Sequence, residues 1–206
     1  MNHVSFNDHL LSPSKIVCVG RNYVEHIQEL GNEIPERMVL FIKPNSAITA
    51  SLTAFHGGDK LHYESEIAYL YQGGKFVAVG FGLDLTKRAV QSALKVKSLP
   101  WERSKAFNGS AVFSEFVLLP ENAQPLGLTL YINDRLVQQG DTTLMLYKPD
   151  EILAEIQTFI QLEDGDIVMT GTPKGVGKVK AGDVYTGALV QNDEILVRQS
   201  WLAQES

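Results

Sequence analysis

Apolar positions along the chain fall in short runs broken by glycine, proline and polar residues, not in one long periodic stretch. The runs IVCVG, MVLFIKP, HYESEIAYLY, FVAVGFGL, LTLYINDRLVQQG, DIVMTGTP, DVYTGALV and EILVRQSW are rich in β-branched and aromatic residues and read as strands. Three stretches carry the helical period instead. The first spans about Tyr23 to Leu30, with Asn22 as N-cap and Gly31 as the residue that ends it. The second spans about Thr86 to Lys97 and carries Ala89, Val90, Ala93, Leu94 and Val96. The third spans about Pro149 to Phe159, with Pro149 near the first helical position and Ile152, Ile156, Phe159 and Ile160 spaced as a stripe. Strands outnumber helices and regular strand–helix–strand alternation is absent. The pattern therefore predicts an α+β chain that is mostly β, a mixed and largely antiparallel architecture with a few peripheral helices.

Composition narrows this picture. The 206 residues suffice for one domain with a real core, and 44% hydrophobic with 20% charged residues is ordinary for a globular chain. Eighteen basic against 24 acidic side chains leave a net charge of −6, which offers no footprint for a nucleic-acid backbone. One cysteine, Cys18, forms no internal disulfide and no thiolate metal cluster. No charged leader followed by an apolar stretch opens the chain, and no run approaches the ~18 apolar residues of a membrane span. A soluble, cytoplasmic protein with neither nucleic-acid nor membrane partners is the expectation.

The chemistry concentrates in HYESEIAYL, residues 62–70. On a strand, His62, Glu64, Glu66, Ala68 and Leu70 share one face, and that face continues from two carboxylates into apolar residues. Carboxylates led into an interior need compensation, and a hard divalent cation such as Mg²⁺ or Mn²⁺ supplies it through oxygen ligands. An E-x-E pair alone equally suits an edge strand with two solvated glutamates. A third acid, Asp84, stands where FVAVGFGL gives way to a helical pattern, and Arg88 and Gln91 follow it at i+4 and i+7. If a helix starts near Asp84, the three line one face, with Asp84 alternatively a helix-terminus acid paired to Arg88.

His26 and Glu29 are helix-surface neighbours at i, i+3, a carboxylate that orients an imidazole into a water-activating base or simply a polar face. Lys105, between Trp101 and Phe107, suits an enolate or a carboxylate, or is simply a lysine snorkelling to the surface. GTPKGVGK, residues 171–178, lacks the P-loop spacing, since Val179 follows Gly177-Lys178 and Thr172 stands where the first glycine is needed. Its backbone N–H groups and the Thr172 hydroxyl suit a small carboxylate instead.

Taken in order, GRNYVEH, LFIKP, HYESEIAYL, LDLTKRAVQ, LPWERSKAFNG and DIVMTGTPKGVG resemble the fumarylacetoacetate hydrolase family, in particular its short single-domain acylpyruvate hydrolase and oxaloacetate decarboxylase type. The resemblance implies one catalytic domain over residues 1–206, with a motif-bearing core of about 15–196, folded as a mixed β-sandwich roll and paired as a homodimer. It implies Glu64, Glu66 and Asp84 as ligands of Mg²⁺, with Mn²⁺ or Ca²⁺ as alternatives. It makes His26, Glu29 and Lys105 the catalytic set, and Arg21, Asn22, Lys43, Arg88, Gln91 and Thr172 the substrate-binding set.

The activity it implies is metal-dependent cleavage of a C–C bond in a short 2,4-dioxo acid, giving pyruvate and a carboxylic acid through an enolate. The same electron sink serves oxaloacetate decarboxylation, oxaloacetate keto–enol tautomerisation and isomerisation of the 2-hydroxyhepta-2,4-diene-1,7-dioate type. A non-catalytic metabolite-binding protein on the same fold is the alternative outside enzymology. Two departures stand out. Asn108 replaces an Asp common in relatives, which is expected to alter the support of Lys105, and the connection between Tyr71 and Val79 is short, which is expected to reshape the pocket rim.

Overall fold

A computed structural model describes residues 1–121 and 124–206. Twelve strands form its two main sheets: β1 (Lys15–Gly20), β2 (Val39–Pro44), β3 (Ile48–Thr49), β4 (Ser65–Gln72), β5 (Lys75–Asp84), β6 (Ala111–Phe113), β7 (Val117–Leu118), β8 (Gly127–Ile132), β9 (Arg135–Asp141), β10 (Ile167–Met169), β11 (Val184–Gln191) and β12 (Glu194–Leu202). The larger sheet runs β2-β1-β10-β4-β5-β6-β3, with β7 also pairing β5. The smaller runs β9-β8-β11-β12. Pairing is antiparallel except for β1 with β10 and β3 with β6. This is the mixed, mostly-β architecture expected from the pattern, folded as the sandwich that the family resemblance implies.

The larger sheet is apolar on both faces, which is why its strands read as nearly continuous hydrophobic runs. Val17, Val19, Ile67, Tyr69, Val79, Phe81 and Leu83 point toward the smaller sheet and meet Leu128, Leu130, Tyr185, Leu189 and Trp201. The alternate residues Ile16, Cys18, Ala68, Leu70 and Ala78 fill a second core closed by Val4, Ile48 and Phe116. The sheets come close enough for Phe81 and Trp201 to stack at 6.0 Å between centroids. Gly187 on β11 permits this: a Cβ there would stand 2.3 Å from the Phe81 ring.

Tight hairpins set the registers. The run LTLYINDRLVQQG divides at Asn133-Asp134 into β8 and β9, and β11 turns into β12 at Asn192-Asp193. All four turn residues have φ between 48° and 64°, the left-handed conformation that Asn and Asp tolerate in two-residue hairpins. Gly73-Gly74 does the same between β4 and β5. That short connection lies at the far end of the β4–β5 hairpin from Asp84, so it does not form the pocket rim expected for it.

Among the described residues, four α-helices decorate the sheets: α1 (Val24–Glu29), α2 (Arg88–Val96), α3 (Glu102–Lys105) and α4 (Pro149–Gln157). Three match the helical patterns with frayed ends. The single-turn α3 carries no legible period and was not expected. Asn22 is not the N-cap of α1, which is Tyr23 without a side-chain cap. The Asn22 amide instead donates to Tyr147 O and Thr170 O and accepts from Tyr147 N, stitching three segments together.

Candidate active site

The site lies at the carboxyl ends of the parallel pair β1 and β10, where β4 and β5 bring their acids. Asp84 closes β5, and its N–H donates to Glu64 O at 2.9 Å. His62 and Thr86 exchange two backbone bonds beyond it. Asp84 therefore comes from a strand end facing Glu64, not from the first turn of a helix as the i, i+4, i+7 reading had it. Glu64 precedes β4 and Glu66 lies within it, and the expected alternation holds, with Glu66, Ala68 and Leu70 on one side. Glu64, Glu66 and Asp84 are 6%, 2% and 1% exposed, and each offers a carboxylate oxygen within 4.8 Å of the others.

Three cations meet these acids. Lys105 Nζ, carried by α3, donates to Glu64 Oε2 at 2.7 Å, Asp84 Oδ2 at 2.6 Å and Thr86 Oγ1 at 2.6 Å. Arg88, at the start of α2, pairs with Glu64 Oε1 and donates to Gln91 Oε1 at 2.7 Å. Lys43 is fully buried on β2, with its Nζ 2.8 Å from Asp84 Oδ1. It also donates to Lys105 O and to the Ser110 carbonyl and hydroxyl, so it braces the turn that presents Lys105. Asn108 is exposed, and this bracing runs through Lys43 and Ser110 rather than through it.

Burial pushes the Glu64 carboxyl up, but Lys105, Arg88 and His26 outweigh it and hold the group well below the usual carboxylate range. Glu66 goes the other way: burial and the charges of Asp84 and Glu64 push it up, opposed by Lys105 and by the Gly171 N–H that donates at 2.6 Å. For Lys105, burial pulls down while Asp84 and Glu64 pull harder upward. One oxygen is left over. Asp84 Oδ1 is buried and makes no hydrogen bond, since Lys43 Nζ contacts it outside hydrogen-bond alignment. An all-oxygen triad in which Glu66 has no ion-pair partner among the described residues, and Asp84 Oδ1 has only the contact of Lys43, suits a hard divalent cation.

Across the pocket, α1 presents His26, whose Nδ1 lies 3.2 Å from Glu29 Oε2. With Glu29 accepting from Nδ1–H, the Nε2 lone pair is free to take a proton. Burial pushes the His26 imidazole down, opposed by Glu64 and Glu29, so the ring is neutral near pH 7. Glu29 is itself anchored, accepting from Gly175 N at 3.0 and 3.2 Å. Residues 171–178 thus spend two of their N–H groups on the protein's own carboxylates, Glu66 and Glu29. Gly171 adopts φ +96°, and a Cβ there would sit 2.9 Å from Asn22 Cβ.

Arg21, His26, Glu64, Glu66, Asp84, Arg88, Gln91, Lys105 and Thr172 all line one pocket, and Glu29 stands behind His26. Asn22 and Lys43 do not line it. They sit behind its wall as structural braces. The pattern of the chain did not single out Asn32, Phe41, Lys95 and Trp101, which also line the pocket, or Gln138 on β9. Gln138 is buried, accepts from Ser65 N at 3.0 Å and donates to Thr172 Oγ1 at 2.9 Å and Pro173 O at 2.8 Å. It locks the acid strand to the Thr172 loop from the opposite sheet. The one signal for it was an amide among the alternating positions of a strand.

The family model for the fumarylacetoacetate hydrolase C-terminal domain matches residues 15–74 and 77–197. The oxaloacetate tautomerase YcgM of Escherichia coli is 38% identical over 190 residues, covering 84% of this chain and 87% of its own. Among solved structures, a candidate fumarylacetoacetate isomerase/hydrolase from Oleispira antarctica superposes with a TM-score of 0.92 at 35% identity, over 98% of this chain and 100% of that one. Fumarylpyruvate hydrolase from Pseudomonas aeruginosa, solved with Mn²⁺ and pyruvate, gives a TM-score of 0.88 at 25% identity, over 99% of this chain and 97% of that one.

Proposed function

The chain belongs to the fumarylacetoacetate hydrolase family, a family of enzymes, and from that premise we propose that it catalyses metal-dependent enolisation of a short 2-oxo acid, with oxaloacetate keto–enol tautomerisation as its principal reaction. The observation that carries this is the opposition within one pocket of a neutral, carboxylate-oriented His26 to the acid triad and its Lys105 ammonium. A proton acceptor facing an electrophilic wall is what moving a proton at the carbon beside a carbonyl needs. The 38% identity to an oxaloacetate tautomerase favours the four-carbon acid.

Glu64, Glu66 and Asp84 would hold the divalent cation, Mg²⁺ in this reading, which when bound supplies Lewis acidity to the substrate's 1-carboxylate and 2-oxo oxygens. His26 Nε2 takes the proton from C3, and the C3–H electron pair becomes the C2–C3 π bond. Lys105, held between Glu64 and Asp84, places its positive charge beside the oxygen that becomes negative. That oxygen takes up a proton from water while His26 gives its proton back to water, so the base is restored as the enol forms, and the reverse sequence regenerates the ketone. Glu29 keeps Nδ1 protonated so that His26 presents its lone pair in the correct tautomer.

A second reading shares the site. If His26 takes its proton from water, the hydroxide attacks C4 of an acylpyruvate, the C3–C4 bond breaks, and pyruvate enolate and a carboxylic acid leave. The same dyad favours this reading, and the pyruvate-bound fumarylpyruvate hydrolase is similar across the whole chain. The decisive experiment strips metal with a chelator, restores Mg²⁺, and follows oxaloacetate enol absorbance beside pyruvate release from an acylpyruvate panel. Tautomerisation that needs metal and falls by at least a hundredfold in His26→Ala is expected. Full activity of the metal-free protein overturns the reading, and pyruvate release outpacing tautomerisation replaces it with the second. Metal-dependent binding without turnover of any substrate leaves a binding protein. Dimerisation belongs to the same proposal, and light scattering at the mass of two chains is the expected result.

A further inference from the structure

The pocket holds more positive charge than its acids engage. Arg88, Lys105 and Lys43 each contact Glu64 or Asp84, whereas Arg21 and Lys95 line the same pocket with no carboxylate within 4.0 Å of either among the described residues. Arg21 Nη2 reaches Asn32 Oδ1 at a long 3.3 Å, and its Nε is buried with no hydrogen-bond partner among the described residues. A buried guanidinium N–H left unbonded is costly unless something completes it. Its backbone adds a second cost. Arg21 follows β1 with φ +57°, a left-handed conformation uncommon for a long side chain. Lys95 comes from the last turn of α2, its Nζ 5.0 Å above the Trp101 ring. Burial, Arg21 and Arg88 together push its ammonium down to about 8. Such crowding of like charges is relieved by an anion between them.

We propose that Arg21 and Lys95 form a distal carboxylate subsite, with Trp101 as its floor, which makes the enzyme selective for 2-oxo acids carrying a second carboxylate. This deepens the function proposed above and rests on it. The first carboxylate and the 2-oxo oxygen belong to the triad side of the pocket, and the far end of a short dianion then faces the two unengaged cations. Arg21 offers a planar fork to two carboxylate oxygens and Lys95 a point charge. A monoanionic 2-oxo acid of the same length would leave both cations without a partner.

Oxaloacetate and 2-oxobutanoate test this, because the second replaces the distal carboxylate by a methyl group. Enolisation of both is read as deuterium exchange at C3 by NMR with Mg²⁺ present, and binding of both by calorimetry. The expected result is that Lys95→Gln and Arg21→Asn each lower the preference for oxaloacetate over 2-oxobutanoate by tenfold or more. The loss should fall in KM rather than kcat, and Lys95→Arg should restore the preference. Asn suits the left-handed backbone at position 21, so that variant keeps the fold. An unchanged preference in both variants overturns the subsite. If the wild-type protein exchanges neither substrate, the proposed function fails, yet calorimetry still decides the subsite: dianion binding that weakens selectively in Lys95→Gln supports it, and equal or absent binding of the two acids ends it.

Discussion

The two ends of the parallel pair β1 and β10 carry buried carboxylates of opposite character. At the amino end, Asp166 is fully buried and saturated: it accepts from Ser14 N, Ser14 Oγ and Lys15 N, from Glu163 N, and from Lys15 Nζ at 2.5 Å. At the carboxyl end, three acids crowd together, Asp84 Oδ1 has the ion-pair contact of Lys43 but no aligned hydrogen bond among the described residues, and Glu66 is pushed toward its neutral form. The same chemical group is a clamp in one place and a site in the other. What separates them is the balance of donors to charge. A carboxylate whose lone pairs are all used holds the fold, and one left short of partners is free to hold something else.

Each half of that contrast can be broken separately. The largest effect is expected from Glu66→Gln or Asp84→Asn. Either should lower enolisation on the order of a thousandfold and abolish Mg²⁺ binding by calorimetry, while the melting temperature of the metal-free Glu66→Gln protein does not fall. A clear loss of metal-free stability in Glu66→Gln would mean the triad is structural after all. Next comes Lys43→Met, which removes one of the two ammonium partners of Asp84, leaving Lys105 on Oδ2, and unbraces α3. Urea unfolding should show a loss of about 3–5 kcal/mol, the cost of breaking a buried ion pair.

Asp166→Asn should cost roughly 1–3 kcal/mol in the same assay and leave turnover per folded molecule unchanged. Its pH dependence gives a finer test. Burial pushes the Asp166 carboxyl up, but the donors from Glu163, Lys15 and Ser14 outweigh it and hold the group below its ordinary value of 3.8. The stabilisation is therefore complete above 3.8 and lost as pH falls through the depressed value, so Asp166→Asn should flatten the acid limb of the stability curve below about pH 4. The smallest effect concerns His26. Because burial lowers its affinity for a proton, the acid limb of the rate profile should lie below the ordinary imidazole value of 6.5. An acid limb above 6.5 would remove His26 as the neutral base.

Local pattern carried the element inventory, three of the four helices and the acid pair Glu64 and Glu66, because periodicity and the change from polar to apolar along one strand face are properties of neighbouring residues. Motif order carried more, placing Lys105, Arg88, Gln91 and Thr172 in one pocket before any geometry was known. The readings that missed share a cause. Asn22 looked like a cap, Asp84 like a helix start and the Gly73-Gly74 turn like a pocket rim, and each depended on where distant segments came to rest. Lys95 gave no signal, being one lysine among several on a polar helix face. Gln138 lies 73 residues from Ser65, the residue between the two glutamates it helps to place.

The sequence by itself determined a mostly-β chain with an oxygen-ligand acid motif and a histidine–glutamate pair, since strand alternation and helix spacing act within a few residues. Only the tertiary structure decided which charges have partners. It paired Lys43, Arg88 and Lys105 with the acids and, among the described residues, left Arg21 and Lys95 without a carboxylate partner. Charge compensation is a sum over everything within a few ångströms, and folding, not chain order, decides what stands there.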